Sequence, residues 1–424
     1  MADKGKKILI LGNGFDLAHG LPTKYSHFLE FCQKFEMLWN NEKNKNNKII
    51  GVDKTQQFER WLSDELIRTF FEPACHNKPI MRSNKGYIDG TLDYYELSEI
   101  HALLVDNVWF EYFKELYSTN CMKGENWIDF ESEIRFIVKE VDQESLSLTK
   151  LWDNVIDKAI APYGNTKLNI FKNRLKFDKY MQRKGLNSKY KITIRDFREK
   201  AFEDLERLTR VLEFYLAAFV EKIPVREEIP EISSLNPDYV INFNYTDTYE
   251  RIYKKGEVYH IHGKADVNHS AEDNNMVLGI DEYWLGNDRD ERTNFTIFKK
   301  FAQRIQKHTG NESYRYLYEM QKLFKAGEHS CSDNVDLLKE HPDWVSYVYV
   351  FGHSLDVTDK DILSGFIGDD STSVTVYCKD KGTEGELIAN TIKLIGEEKL
   401  LAKSNHLPTK LDYIIQQEHM WPLK

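Results

Sequence analysis

The sequence predicts an α/β fold: an open parallel sheet carrying a large, mostly α-helical insertion after its first strand–helix unit. Three observations lead there. Short β-branched and aromatic runs cluster at the two ends of the 424-residue chain, as buried parallel strands do. The long text between them repeats its apolar residues at helix spacing. The first apolar run breaks at Gly12 and Gly14 and passes into a helix-compatible segment, which is how an α/β fold brings a backbone turn up to a phosphate.

Taken in order, Lys6–Leu11 is the first expected strand. From Tyr25 to Ile232 helices dominate. Phe130, Ile134, Ile137, Val138 and Val141 make one apolar stripe, and Phe202, Leu205, Leu208 and Leu212 make another. Asn40–Lys48, polar and Asn-rich, reads as a loop. Strands are then expected at Tyr239–Phe243, Val258–Ile261, Met276–Ile280, Tyr347–Phe351 and Ser373–Tyr377. A helical pair is expected over Thr293–Lys325, with Phe295, Phe298, Phe301 and Ile305 on one face. The expected domains are therefore residues 1–24 plus 233–424, a nucleotide-binding sheet domain, and residues 25–232, the helical insertion.

Composition narrows the function. With 41% hydrophobic and 30% charged residues the chain reads as folded and soluble. A net charge of −10 argues against general nucleic-acid coating or membrane-surface binding. The apolar run ending at Leu11 is too short for a signal-peptide core or a membrane span. Five scattered cysteines, with no Cys-x-x-Cys, indicate neither a disulfide framework nor a zinc ribbon. A cytoplasmic location without a membrane partner is the expectation.

Four segments fall at expected strand ends, where open α/β sheets collect ligands. They are Gly12-Asn-Gly-Phe-Asp-Leu-Ala-His-Gly20-Leu-Pro22, Asn242-Phe-Asn244-Tyr-Thr, His260-Ile-His262-Gly263 and Gly352-His-Ser354-Leu-Asp356-Val357-Thr-Asp. All four could therefore converge on one cleft. His260 and His262 alternate along a strand and share a side. With no third ligand at telling spacing, no metal is expected.

These residues resemble the sirtuin superfamily. Its opening Gly-Ala-Gly-x-Ser-x-x-x-Gly-Ile-Pro has the spacing of Gly12, Gly14, Gly20 and Pro22. Its Gln-Asn-x-Asp is similar to Phe243-Asn244-Tyr245-Thr246. Its His-Gly corresponds to His262-Gly263, and its Gly-Thr-Ser-Leu-x-Val to Gly352-His353-Ser354-Leu355-Asp356-Val357. The order agrees as well. The fuller wording looks like the bacterial abortive-infection AbiH-like family over nearly the whole chain: Gly-Asn-Gly-Phe-Asp-Leu-Ala-His-Gly-Leu-Pro-Thr, the Asn-Trp-Ile-Asp-Phe-Glu of 126–131, Phe-Asn-Tyr-Thr and His-Ile-His-Gly. Together the resemblances imply an anti-phage protein on a sirtuin-like Rossmann core. That core would bind NAD or a related nucleotide and hydrolyse the nicotinamide–ribose bond on activation. The resemblance implies a binding set of Gly12, Asn13, Gly14, Phe15, Asp16, Gly20, Pro22, Gly263, Gly352 and Ser354, with Asn244 and His262 at the reacting centre; an imidazole with an ordinary pKa near ~6.5 is competent as a base at neutral pH.

The departures matter too. The sirtuin zinc ribbon has no counterpart, which argues against peptide deacetylation. Thr246 replaces the sirtuin Asp, and Asp16 stands where sirtuins carry a small polar residue. Asp16 is expected to N-cap the following helix, hold a ribose hydroxyl, or meet a metal-bridged phosphate, which leaves open whether the ligand is NAD or another nucleotide. Glu131 opens a helix beside Trp127 and Phe130, either reaching ribose hydroxyls or answering the helix dipole. Gly352-His-Ser354-Leu-Asp356 imitates a nucleophile elbow with its last glycine missing. Residues 171–200 carry eleven Lys/Arg against three acids, interleaved with Phe177, Tyr180, Tyr190 and Phe197. They offer either a nucleic-acid surface or a solvated helical face. The rivals to the hydrolase are thus a non-catalytic nucleotide-sensing module and a nucleic-acid-directed toxin using that basic segment. A phage-derived trigger and a homo-oligomer are the expected partners.

Overall fold

Six short apolar runs join in one sheet whose strands are all parallel: β1 (Lys7–Leu11), β2 (Tyr239–Asn242), β3 (Glu257–His260), β4 (Ser346–Phe351), β5 (Thr372–Cys378) and β6 (Leu411–Ile415). The computed structural model describes residues 6–45, 52–75, 92–122, 127–145, 166–185, 193–225, 228–270, 272–284, 288–310 and 346–416. The strand order is β3-β2-β1-β4-β5-β6. Winding proceeds outward from β1 in one direction and then from β4 in the other, so a topological switch point lies between β1 and β4.

Side-chain alternation makes the sheet apolar on both faces. Ile8, Ile10, Ile241, Val348, Val350, Val374 and Val376 share one core with Ile362, Leu363, Phe366 and Leu387 from helices Lys360–Ile367 and Lys381–Ile395. Leu9, Leu11, Val240 and Phe351 share the opposite core with Phe15, Ile232 and Tyr249. β1 and β2 are thus buried almost throughout, as continuously apolar runs would be, whereas β3 and β6 at the sheet edges stay partly exposed. The registers place Leu11, Asn242, His260 and Phe351 together at the carboxyl edge.

The chain divides into two compact units. The sheet unit comprises Met1–Leu21, Val225–Lys264 and Arg304–Lys424, and the other comprises Pro22–Pro224 and Ala265–Gln303. The second is helical. The stripe Phe130, Ile134, Ile137, Val138 and Val141 is wholly buried, as are Leu205, Leu208 and Leu212, with Phe202 at the margin. Ala265–Gln303, which the sequence reading placed with the sheet, packs in this helical unit. One reason is Glu213, fully buried, which accepts from Arg210, from His269 Nδ1, from Asn274 Nδ2 and from the Asp266 amide.

Three expected elements differ. Met276–Ile280 is buried but forms no strand. Its backbone is satisfied by Gln303 Nε2 on Leu278 O and by a single bridge between Ile280 and Lys299, so an apolar run found other partners than a ladder. Helix Tyr25–Lys45 runs through most of the expected loop at Asn40–Lys48. Asn, Glu and Lys differ from the best helix formers by only tenths of a kcal/mol, about what an established helix tolerates. Residues 46–48 lie outside the described residues. Phe295 and Phe298 are buried, but a 3₁₀ turn at Thr296–Phe298 precedes the helix Lys300–Gln306 and breaks the register. Phe301 and Ile305 are therefore 39% and 63% exposed. The rest of that expected pair, beyond Gly310, is outside the described residues. No helix among the described residues is long and apolar enough to cross a membrane.

Candidate functional site

The carboxyl edge of the sheet gathers the four motif segments. After β1 the chain turns at Gly12 and starts the short helix Asn13–Ala18. Gly12 N donates to Phe351 O at 3.1 Å and Gly14 N to Gly352 O at 2.8 Å. The backbones of this turn and of the loop after β4 cross in direct contact. A Cβ on Gly14 would lie 2.7 Å from Gly352 Cα, and one on Gly352 would lie 2.3 Å from Phe15 N. Gly352 also has φ +70°. Those close approaches account for the glycines, and in this arrangement the Gly12 and Gly14 N–H groups are directed at the protein itself. Asn13 is exposed, and Phe15 is buried in the core against Tyr249, Tyr253 and Phe351. Gly20 has φ +78° and open space where a Cβ would stand. Pro22 belongs to the helical unit, where its carbonyl accepts from Tyr215 Oη.

Asp16 does not cap its helix; Gly12 occupies the N-cap and no side chain bonds there. Instead the Asp16 carboxylate is buried and accepts from Thr246 Oγ1 at 2.7 Å, and Thr248 Oγ1 stands 3.2 Å behind that hydroxyl. Burial pushes Asp16 up to about 6, against the lowering effect of the threonine hydroxyls and Arg251. Thr246 and Thr248 are each 1% exposed, so this polar cluster sits inside the sheet unit.

Asn244 is fixed three ways. Its amide N donates to Asn242 Oδ1 at 3.0 Å, its Nδ2 donates to Gly12 O at 3.1 Å, and its carbonyl faces His260 Nδ1 at 3.1 Å. His260 Nε2 stands 2.8 Å from Glu250 Oε1. Both ring nitrogens thus face acceptors. Burial acts to raise Glu250, and the His260 bond and charge overcome it and hold the carboxyl below its usual range.

His262 is 4% exposed, and its Nε2 lies 2.8 Å from Asp359 Oδ1. His353 Nε2 lies 3.7 Å from the other oxygen, Asp359 Oδ2. Phe243 meets both rings edge-on, with centroids 5.5 Å from His262 and 4.4 Å from His353. The β4 loop reaches this place through two left-handed residues, Gly352 and the fully buried Leu355 (φ +55°). Leu355 N donates to His353 Nδ1 at 2.9 Å, and Asp356 Oδ1 accepts from Thr358 N to start a 3₁₀ turn, Val357–Asp359. A leucine held at positive φ is costly, and such strain concentrates at functional sites. Gly263 adopts φ +81° just after His262. Ser354 is exposed, and its carbonyl accepts from Asn390 Nδ2.

The structure therefore brings Gly12, Gly14, Asp16, Asn244, His262 and Gly352 together at one edge. It adds Thr248, Glu250, His353 and Asp359, which the sequence reading did not assign. A lone buried acid carries no sequence signature; the only hint of Asp359 is its place at the end of the Gly352 segment. Among the described residues no group of three or more His, Cys, Asp or Glu is suited to hold a metal.

Two segments outside this edge resolve in the helical unit. Glu131 pairs with Lys300 Nζ at 2.8 Å and accepts from Tyr25 Oη, while Trp127 is 66% exposed rather than core. In the basic stretch, Phe177, Tyr180 and Phe197 are buried. Arg174 pairs with Glu115, Lys176 and Lys179 with Asp106, Arg183 with Glu203, and Arg195 with Glu199. Those three rings present no face for stacking a base. Lys189, Tyr190 and Lys191 lie outside the described residues.

A family model described as bacteriophage abortive infection AbiH matches residues 8–377. No curated protein and no solved structure matches the chain.

Proposed function

Because the chain belongs to the bacteriophage abortive infection AbiH family, its role lies in phage abortive infection, and we propose that it acts there by hydrolysing NAD or a closely related nucleotide at the carboxyl edge of its sheet. The observation that carries this reading is the pair Asn244 and His262. One is an amide fixed through its own backbone and Nδ2, and the other is an imidazole held against a buried carboxylate, Asp359. A sirtuin-like core is part of the reading, supported by the motif order and by the strand order β3-β2-β1-β4-β5-β6 with its switch point at Gly12 and Gly352.

The chemistry asks for little else. In NAD the C1′–N bond breaks, and nicotinamide departs as a neutral molecule with the bonding electrons. Water adds to C1′ of the oxocarbenium-like ribose, and its proton passes to a base. Asn244 would orient the ribose or the water without adding charge, and His262 would take the proton through Nδ1, since its Nε2 faces Asp359. Asp16, pushed up to about 6, repels a neighbouring phosphate less than an ordinary aspartate when the solution is mildly acidic. With Gly12 and Gly14 N–H groups bonded inside the protein, a diphosphate would be held by groups other than these, or after that crossing opens. That same observation favours a second reading, a sensing module that binds a nucleotide without turning it over. A constitutive NAD hydrolase would kill its host. The resting protein is therefore held inactive until a phage-derived trigger acts, through oligomerisation or movement of the helical unit.

The test uses purified protein with NAD, with and without lysate of phage-infected cells, following nicotinamide release. Wild type should release nicotinamide only with infected lysate, and Asn244→Ala and His262→Ala should lower the rate by about 100-fold or more, the usual scale for losing a general base. NAD binding without release in every condition favours the sensing module instead.

A further inference from the structure

We infer that Asp359 is the positioning residue that fixes His262 as a base acting through Nδ1; this rests on the reading above and names how its base is set. An ionised carboxylate only accepts, so the 2.8 Å contact between Asp359 Oδ1 and His262 Nε2 puts the ring proton on Nε2. In the neutral ring Nδ1 is then the nitrogen with the lone pair. His353 is fixed by the same logic from its other side. Leu355 N–H donates to His353 Nδ1 at 2.9 Å, so the neutral His353 carries its proton on Nε2, the atom 3.7 Å from Asp359 Oδ2. Of the two, only the His262 contact is within hydrogen-bond distance, while His353 Nε2 faces the second oxygen from 3.7 Å.

The backbone is organised to deliver it. Asp359 ends a 3₁₀ turn that Asp356 starts, and that turn follows the left-handed pair Gly352 and Leu355. Asp359, His262 and His353 are 7%, 4% and 8% exposed, so solvent competes little for these bonds. Asp361, two residues on, is engaged separately by Arg304. A carboxylate that orients an imidazole in one tautomer is a recurrent device for preparing a base.

The test reads the tautomer directly and does not depend on turnover. Full-length protein labelled with ¹⁵N-histidine would be recorded for wild type, Asp359→Ala and Asp359→Asn, with His262→Gln used to assign the His262 signals. The inference expects one His262 tautomer in wild type, protonated at Nε2, and loss of that single tautomer in Asp359→Ala while the His260 signals stay in place. The isosteric Asp359→Asn keeps the comparison sound if the alanine variant folds poorly, and is expected to shift or split the His262 Nε2 resonance. An unchanged His262 spectrum in both variants overturns the inference. In activated protein, kcat for nicotinamide release should fall at least about tenfold in Asp359→Asn with KM moving less than about threefold, and Asp359→Glu should recover part of it. Wild type that hydrolyses NAD alongside an Asp359→Asn variant of equal kcat sinks the positioning role and leaves the hydrolase. Wild type that never hydrolyses NAD, yet loses its tautomer in Asp359→Ala, sinks the hydrolase and supports the positioning role.

Discussion

Asp16 sits in an environment that opposes its charge. Burial pushes its carboxyl up to about 6 from an ordinary 3.8. Between those values the folded state holds the proton and the unfolded state has lost it, so stability falls as pH rises from about 4 to about 6 and stays lowered above. That difference corresponds to about 3 kcal/mol of stability. Asp16→Asn keeps the shape and an acceptor for Thr246. It is expected to raise stability by about 1–3 kcal/mol at pH 7.5 and to leave it nearly unchanged at pH 4, as urea unfolding at the two pH values would measure. Equal gains at both would remove the titration from the account. A buried acid that costs stability fits a site where function outweighs packing. Accordingly, the same substitution should weaken phage protection while strengthening the fold.

At the scale of elements, the crossing of the β1 turn over the β4 loop is the most sharply specified feature. Gly352→Ala places a methyl 2.3 Å from Phe15 N at a left-handed φ, and should cost more than about 3 kcal/mol. Gly385, inside helix Lys381–Ile395 with nothing near its would-be Cβ, offers the opposite case. Gly385→Ala should stabilise by about 0.5–1 kcal/mol. Thermal melts of the two variants check both signs. These elements also show what a single sequence exposes. Strands β1 to β5 were legible as short β-branched and aromatic runs; β1 and β2 are buried almost throughout, β4 and β5 bury alternate residues, and β3 is only partly buried. The edge strand Leu411–Ile415 was not, since its pattern is half exposed and one neighbour suffices to pair it. Met276–Ile280 carried the same apolar signal without a ladder partner, which no local pattern reveals. At the site, glycines and the Asn and His of strand-end motifs were visible as types. The Asp359–His262 contact joins residues 97 apart through a strained loop, and only folding shows it.

For the whole molecule, the sheet edge, not the basic helical stretch, is expected to carry the anti-phage activity. Lys184→Ala with Arg195→Ala should leave protection unchanged, since Arg195 is engaged by Glu199 and Lys184 lies over the Tyr180 ring; plaque counts would check this. Protection lost on neutralising them would point instead to a nucleic-acid surface. The most direct measurement is the time course of NAD and nicotinamide in phage-challenged cells expressing wild type, Asn244→Ala or His262→Ala at matched protein levels. The account predicts NAD loss with matching nicotinamide gain in wild type alone, and protection lost in both variants. Protection with constant NAD, indifferent to both substitutions, would contradict it.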